Sequence, residues 1–319
     1  MKTMELSFGW DGELCYSMGM RLKTLLPIFL IASSLSALAQ DAGRVSIGDF
    51  LLSRSPATAP STRLNYSAAS EVDFDTAAGG FSYQRLKLDV PLSKPFYLNS
   101  CNTIILSAAY EFTELDTDTV LGNMDLHDFR LDIRWLYRQS GSKWSWMTVI
   151  SPGLSTDGDG VDMDDFSLNG QVVLRYRKST RFAWIGGLVF SHNSMETQIY
   201  PGIGFQWKPT DDFQMTWSGP SLKASWQPHD DWLIHANVAS VGGHWNVKNG
   251  GGDFDVKLRS YQAGVGVERR LSDKIWLGLW GGATFGNDLE IETASGNRLF
   301  NQGADMGWLV KLGIRKILW

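Results

Sequence analysis

From Leu64 onward, apolar and polar residues alternate in runs of about ten. A period of two puts successive side chains on opposite faces of an extended strand. Leu64, Tyr66, Ala68, Val72 and Phe74 form one apolar face, against Asn65, Ser67, Glu71 and Asp73. Phe129, Leu131, Ile133, Trp135 and Tyr137 alternate with Arg130, Asp132 and Arg134. The same rhythm runs through Phe166–Tyr176 and Trp232–Val238. No helical period is sustained after residue 40. Phase changes near Tyr83–Leu86 and Ser260–Tyr261 predict bulges.

The connections alternate too. Gln139–Lys143, Lys178–Arg181, Lys208–Asp212, Pro228–Asp231 and Ser272–Lys274 are short; Asp116–Asp125, Thr156–Asp164, Gly243–Asp253 and Asn287–Phe300 are longer. Short turns on one side and long loops on the other are the asymmetry of transmembrane β-barrels. Two short turns in succession, Lys208–Asp212 and Pro228–Asp231, require two strands between them, joined at Ser218-Gly219-Pro220. Counting those two gives an all-β, antiparallel transmembrane barrel of about 14 strands; omitting them gives about 12.

Ahead of the strands, Met20-Arg21-Leu22-Lys23, the apolar run Leu25–Ala32 and Ala37-Leu38-Ala39 follow the order of a secretory signal, cleaved before Gln40. Glu5, Asp11 and Glu13 fit a signal peptide poorly, so residues 1–19 read as a mis-called start, the alternative being an extension of a long signal peptide. Residues 20–39 are the signal, 40–63 a periplasmic lead-in with a short strand near Val45–Leu52, and 64–319 the barrel. The location expected is the bacterial outer membrane.

A soluble sandwich would also alternate. The aromatics separate the two. Trp144, Trp146, Trp184, Trp207, Trp226, Trp232 and Trp276 cluster at the short turns. Indole rings prefer the membrane–water boundary, so these predict a girdle at the periplasmic level. The chain stops at Trp319 inside an apolar run where Trp308, Val310, Leu312 and Ile314 share a phase; Trp319 joins that phase only with a bulge near Lys316. A terminal aromatic is a signal for the barrel-assembly machinery. Partners expected are that machinery, outer-membrane lipid and lipopolysaccharide, and small solutes.

Tyr200-Pro201-Gly202-Ile203-Gly204-Phe205, Gly219-Pro220-Ser221, Asp231-Trp232 and Tyr261-Gln262-Ala263-Gly264-Val265-Gly266-Val267-Glu268 carry a resemblance. In these segments the chain resembles the DUF-type family of bacterial outer-membrane β-barrels of unknown function. The resemblance implies a barrel and its location, and supplies no catalytic residues.

Arg85, Lys87, Asp89, Glu111, Arg130, Asp132, Arg134, Arg175, Arg177, Lys257 and Arg259 occupy polar phases and are expected to face the lumen. Charges there would set the selectivity of a pore. The formal net charge of −5 argues against nucleic acid. After signal cleavage Cys101 stands alone, which leaves no disulfide framework and no cysteine metal site. Asp157, Asp159, Asp162 and Asp164 form an acidic loop with a weak likeness to a Ca²⁺ site; otherwise no metal or cofactor site is expected. His192 and Ser194 could share a strand face as a lipid-hydrolase dyad, set against the commoner polar strand end. The reading is a passive channel for small solutes; a non-conducting surface-binding barrel is the alternative, and a lipid-modifying enzyme the third.

Overall fold

The computed structural model describes residues 60–318. The signal segment, residues 1–19, the strand near Val45–Leu52 and Trp319 lie outside the described residues.

Fourteen antiparallel strands close into a barrel. In chain order the strands are β1 (Ser61–Asp73), β2 (Gly80–Pro91), β3 (Phe96–Tyr97), β4 (Asn102–Thr117), β5 (Met124–Arg138), β6 (Trp144–Thr156), β7 (Phe166–Arg177), β8 (Phe182–His192), β9 (Thr197–Trp207), β10 (Phe213–Ser218), β11 (Ser221–His229), β12 (Trp232–Asn249), β13 (Gly252–Ser272), β14 (Ile275–Thr293), β15 (Arg298–Ala304) and β16 (Gly307–Ile317). The ring closes where β1 pairs with β16, Ser61 facing Ile317. β3 and β15 are accessory, paired only to β4 and β14. Closure satisfies every ladder and leaves no edge, which the bilayer demands.

Each short connection expected from the sequence is a tight turn at one end of the barrel, the turn end. Each long one lies at the other, the loop end. Ser218 pairs with Ser221 around Gly219, whose φ of +54° suits glycine, so the two short strands exist and the count is 14.

The wall is uneven. β10 has 6 residues and β11 has 9, whereas β12, β13 and β14 have 18, 21 and 19. A tilted spanning strand needs only about 9–11. The surplus belongs at the loop end. The expected loops Gly243–Asp253 and Asn287–Phe300 are therefore mostly strand. Gly250-Gly251, both at positive φ, make a two-residue hairpin turn.

The outer surface is apolar, the reverse of a soluble protein. Ile133, Val172, Leu188, Ile203, Val265, Leu279, Val310 and Leu312 are all exposed. So broad a belt is a lipid contact. Leu312→Arg, mid-strand on β16, is expected to lower unfolding stability in bilayers by about 2–4 kcal/mol, read by denaturant titration; an effect near zero would put β16 off the lipid.

Two expected irregularities move. The bulge assigned to Tyr83–Leu86 sits on β1, between Ala69 and Val72, and turns Val72 and Phe74 inward, away from the face of Leu64 and Tyr66. On β2 the register runs unbroken, and Phe81, Tyr83, Arg85 and Lys87 all point inward. What resembled a change of phase is a change of chemistry along one face, aromatic near the loop end and charged below. The irregularity expected at Ser260–Tyr261 lies instead on β14, where Asp288 to Phe285 spans one residue more than Arg259 to Tyr261, while β13 keeps an unbroken register against β12. The register of β16 is continuous through Lys316, so no bulge occurs there.

Candidate functional site: the lumen and its inward-folded hairpin

β12 and β13 do not stand upright at the loop end. Asn246 of β12 bridges Thr156 of β6, although these strands are not neighbours in the ring. The bridge requires the hairpin tip, residues 243–259, to cross the interior. Gly242 (φ +152°) and Gly243 permit the bend. A methyl group built on Gly242 would lie 2.0 Å from the Leu258 carbonyl oxygen, and one on Gly243 would lie 2.2 Å from the Trp245 ring. Beside the bend, β14 carries a bulge at Gly286–Asn287, and Ser260 Oγ of β13 donates to Asn287 Oδ1 at 2.6 Å.

Asp255, Val256, Lys257 and Leu258 are buried in succession, because both faces of the hairpin are covered. One face is apolar. Trp245, Val247, Val256 and Leu258 pack with Leu115, Leu126, Phe81, Leu289 and Ile291 into a core that occupies the loop end. Trp245 Nε1 donates to Asp128 Oδ2 at 2.7 Å. The other face is polar and ties to the β8–β9 loop. Glu196 pairs with Lys257, and Ser194 Oγ donates to Asp255 Oδ1 at 2.6 Å. At the tip, Lys248 Nζ reaches Asp162 at 3.0 Å, and its backbone N–H donates to Asp157 at 2.6 Å.

These contacts redefine two expected sites. His192 bonds Thr197, not Ser194. Ser194 lies against His244 and Asp255, but the same His244 nitrogen, Nε2, faces both the hydroxyl (3.3 Å) and the carboxylate (3.1 Å). A nucleophilic triad places its carboxylate on the opposite ring nitrogen. Here the carboxylate takes the serine hydrogen bond directly, and the group works as a tie. The acidic loop does not converge either. Asp162 caps the 3₁₀ turn Met163–Asp165, Asp157 and Asp162 both hold Lys248, and among the described residues no group of His, Cys, Asp and Glu gathers as metal ligands.

The ties respond to acid. The Lys248 hydrogen bond holds the Asp162 carboxyl below its ordinary range, and Asp162 raises the Lys248 ammonium in turn. Burial pulls the Glu196 carboxyl upward, but hydrogen bonds from Lys257 and Gln198 outweigh it and leave it lowered. Carboxyls depressed in the folded state contribute stability above their unfolded pKa, about 4, and lose it as pH falls through the folded values. Asp165, raised by burial, partly offsets this. Amide exchange across residues 243–259 is expected to accelerate below about pH 4; unchanged protection would mean the apolar face alone holds the hairpin.

Beneath the hairpin the interior is hollow. A chamber of about 380 Å³ is lined by Arg63, Arg85, Lys87, Glu111, Lys223, Lys311 and Arg315 among others. Cavities of about 300 and 760 Å³ lie nearer the loop end. Lys87 and Glu111 line all three, so this pair stands at their junction. Glu111 accepts from Lys87 Nζ at 2.8 Å and faces Arg85 at 3.5 Å. Arg130 and Arg134 clamp Asp132 at 3.0 and 2.6 Å. Arg175 is buried and donates to Gln206. Arg259 reaches Glu290 at 3.6 Å. Asp89 stands across from Arg63 in register. Of the residues expected to face the lumen, Arg85, Lys87, Glu111, Arg130, Lys257 and Arg259 line these cavities, Lys257 being consumed by the hairpin tie, whereas Asp89, Asp132, Arg134, Arg175 and Arg177 line none of the three.

Six of the tryptophans expected to form the girdle are exposed and one is not. Trp144, Trp146, Trp184, Trp207, Trp226 and Trp232 are exposed near the turn end. The Trp144 ring packs against Tyr176 at a tilt of 47°, and Trp226 Nε1 donates to Asp212 at 3.0 Å. Trp276 is only 1% exposed and lines the chamber, with Arg315 over its ring at 5.3 Å. Leu277 and Leu279 hold the outward phase of β14. The reading from sequence omitted Arg63, Lys223, Glu268, Lys311 and Arg315. For Lys311 and Arg315 the signal was present, since they fall out of phase with Trp308, Val310 and Leu312.

The barrel is similar in outline to several solved proteins. They include the COG4313 outer membrane channel from Pseudomonas putida F1 (9% identity, 88% of this chain and 99% of that one, TM-score 0.46). A Pseudomonas aeruginosa FadL homologue (12%, 87% and 97%, 0.44) and the outer membrane phospholipase A from Escherichia coli (14%, 87% and 100%, 0.35) are further examples. None of these likenesses bears on what this barrel binds or passes. Among curated proteins, none matches the sequence. A family model described as a domain of unknown function (DUF6268) matches residues 74–315, three quarters of the sequence, and the chain belongs to that family.

Proposed function

We propose that this barrel is an outer-membrane channel for small hydrophilic solutes, narrowed at its loop end by the β12–β13 hairpin. In that membrane the turn end faces the periplasm and the loop end the outside. The observation that carries the reading is a set of three cavities that share Lys87 and Glu111 in their linings, beside the apolar core. A hydrated interior costs a barrel buried apolar area, and charged walls serve ion and solute passage.

The core at the loop end favours a second reading, a non-conducting barrel that works through its outer surface. Single-channel recording of the purified, folded protein in planar bilayers separates the two. Discrete steps whose ion selectivity shifts on Arg130→Glu support the channel; silence from protein shown to be folded and inserted removes it.

A further inference from the structure

We propose that the chamber beneath the hairpin is a binding site for small anions bearing carboxylate or phosphate groups. This deepens the channel reading as regards transport, but binding itself does not depend on conduction.

The case starts from charge. Six cations line the chamber, namely Arg63, Arg85, Lys87, Lys223, Lys311 and Arg315, against two carboxylates, Glu111 and Glu268. The formal excess is four positive charges, in a chain whose net charge is −5. The carboxylates are already engaged. Glu111 holds Arg85 and Lys87, and Glu268 holds Arg315. Arg63, Lys223 and Lys311 are left with no carboxylate in ion-pair contact among the described residues. Arg63 donates to the neutral Ser61 hydroxyl, and Lys311 to the Gln262 carbonyl oxygen. Asp89 faces Arg63 across the ladder without reaching it as an ion pair, and counting it still leaves the wall cationic.

Lys223 shows best what the arrangement does. It lies on β11, whose Trp226 points to lipid, so its own phase points inward. It is exposed, and its exposure is to the chamber that it lines. Arg63, Arg315 and Glu268 lie within its field. Like charges gathered inside low-dielectric walls repel one another, and a bound counter-ion relieves that repulsion.

The rest of the wall supplies donors. Lys311 Nζ sits 4.8 Å from the Trp280 ring centroid, and that ring lies over Gly264 and Gly282, where an added methyl group would come within 2.4 and 2.5 Å of it. The glycines let the indole lie flat, and the indole orients the ammonium. A wall of donors with its carboxylates consumed matches an acceptor-only ligand. The volume, about 380 Å³, falls within the range of small-molecule sites.

The test is calorimetric titration of the folded, detergent-solubilised protein with citrate and, separately, inorganic phosphate, with glucose as the uncharged control. Citrate or phosphate should bind and glucose should not. The double substitution Lys223→Gln with Lys311→Gln should weaken anion binding at least about tenfold, while Lys223→Arg with Lys311→Arg retains it. Heat-dependent gel mobility checks that each variant is a folded barrel. Binding by citrate alone assigns the site to organic acids, and binding by phosphate as well widens it to both chemistries. Binding should weaken with added salt. No binding of either anion, or binding indifferent to the double substitution, overturns the proposal. A protein that binds anions but is silent in bilayers keeps the site and loses the channel; one that conducts without binding them, or with no preference for chloride over potassium, keeps the channel and loses the site.

Discussion

Trp245→Ala is expected to open the loop end and to raise single-channel conductance severalfold. The indole is fully buried in the core that the inward hairpin makes with β2, β4, β5 and β14. Removing a buried tryptophan from a close-packed core costs about 3–5 kcal/mol. It also takes from Asp128 its Trp245 donor, leaving Ser155 to satisfy that carboxylate. The loss falls on the hairpin and spares the barrel wall, whose ladders do not involve Trp245 beyond its own hairpin. At 1.4 kcal/mol per factor of ten, the population with the hairpin displaced rises about a hundredfold or more. Planar-bilayer recording reads the change as larger or longer openings. Trp245→Phe, which keeps most of the apolar volume, should fall between. Unchanged conductance in a folded Trp245→Ala protein would show that the solute path never meets the hairpin.

Glu111→Gln is expected to have the second largest effect, in two readouts at once. Glu111 is the acceptor for Lys87 and the partner of Arg85, at the junction of all three cavities. Its side chain and that of Arg85 are mostly buried. Breaking a buried pair by neutralising one member leaves the other charge uncompensated and costs about 3–5 kcal/mol. Water in the cavities screens part of that, so the lower end is expected. The stability loss is measured by denaturant unfolding in bilayers. Ion selectivity moves in a fixed direction: one negative charge fewer at the junction raises the preference for anions, read as a shift of reversal potential in a KCl gradient. A shift toward cations would place Glu111 off the conduction path.

Much of the barrel was legible in the chain. The period of two, the alternation of short and long connections and the parity of turns led to 14 strands, and the two short strands around Gly219 followed from parity alone. Each is a local property, set by which side chains a pleated strand sends to lipid. For the same reason Arg85, Lys87, Glu111, Arg130 and Arg175 could be placed on the interior from their phase. Where both phases are apolar, phase carries no information. In Ile275–Trp280 nothing local separates Trp276 from the girdle, and only pairing with β13 and β16 turns it inward.

The sequence by itself therefore determined the strands, the turns, the lipid-facing belt and most of the aromatic girdle. Tertiary structure alone decided the rest. Asn246 meets Thr156, Trp245 meets Asp128 and Lys257 meets Glu196 across 90, 117 and 61 residues of chain. No periodicity records such encounters, because they depend on where two glycines of β12, beside a bulge on β14, bend a hairpin that is longer than the membrane is thick. Nor does an acidic chain announce a cationic chamber. That excess exists only because closure brings Arg63, Lys223, Lys311 and Arg315, from β1, β11 and β16, to a shared cavity, while many of the acids stand in turns and at the loop end.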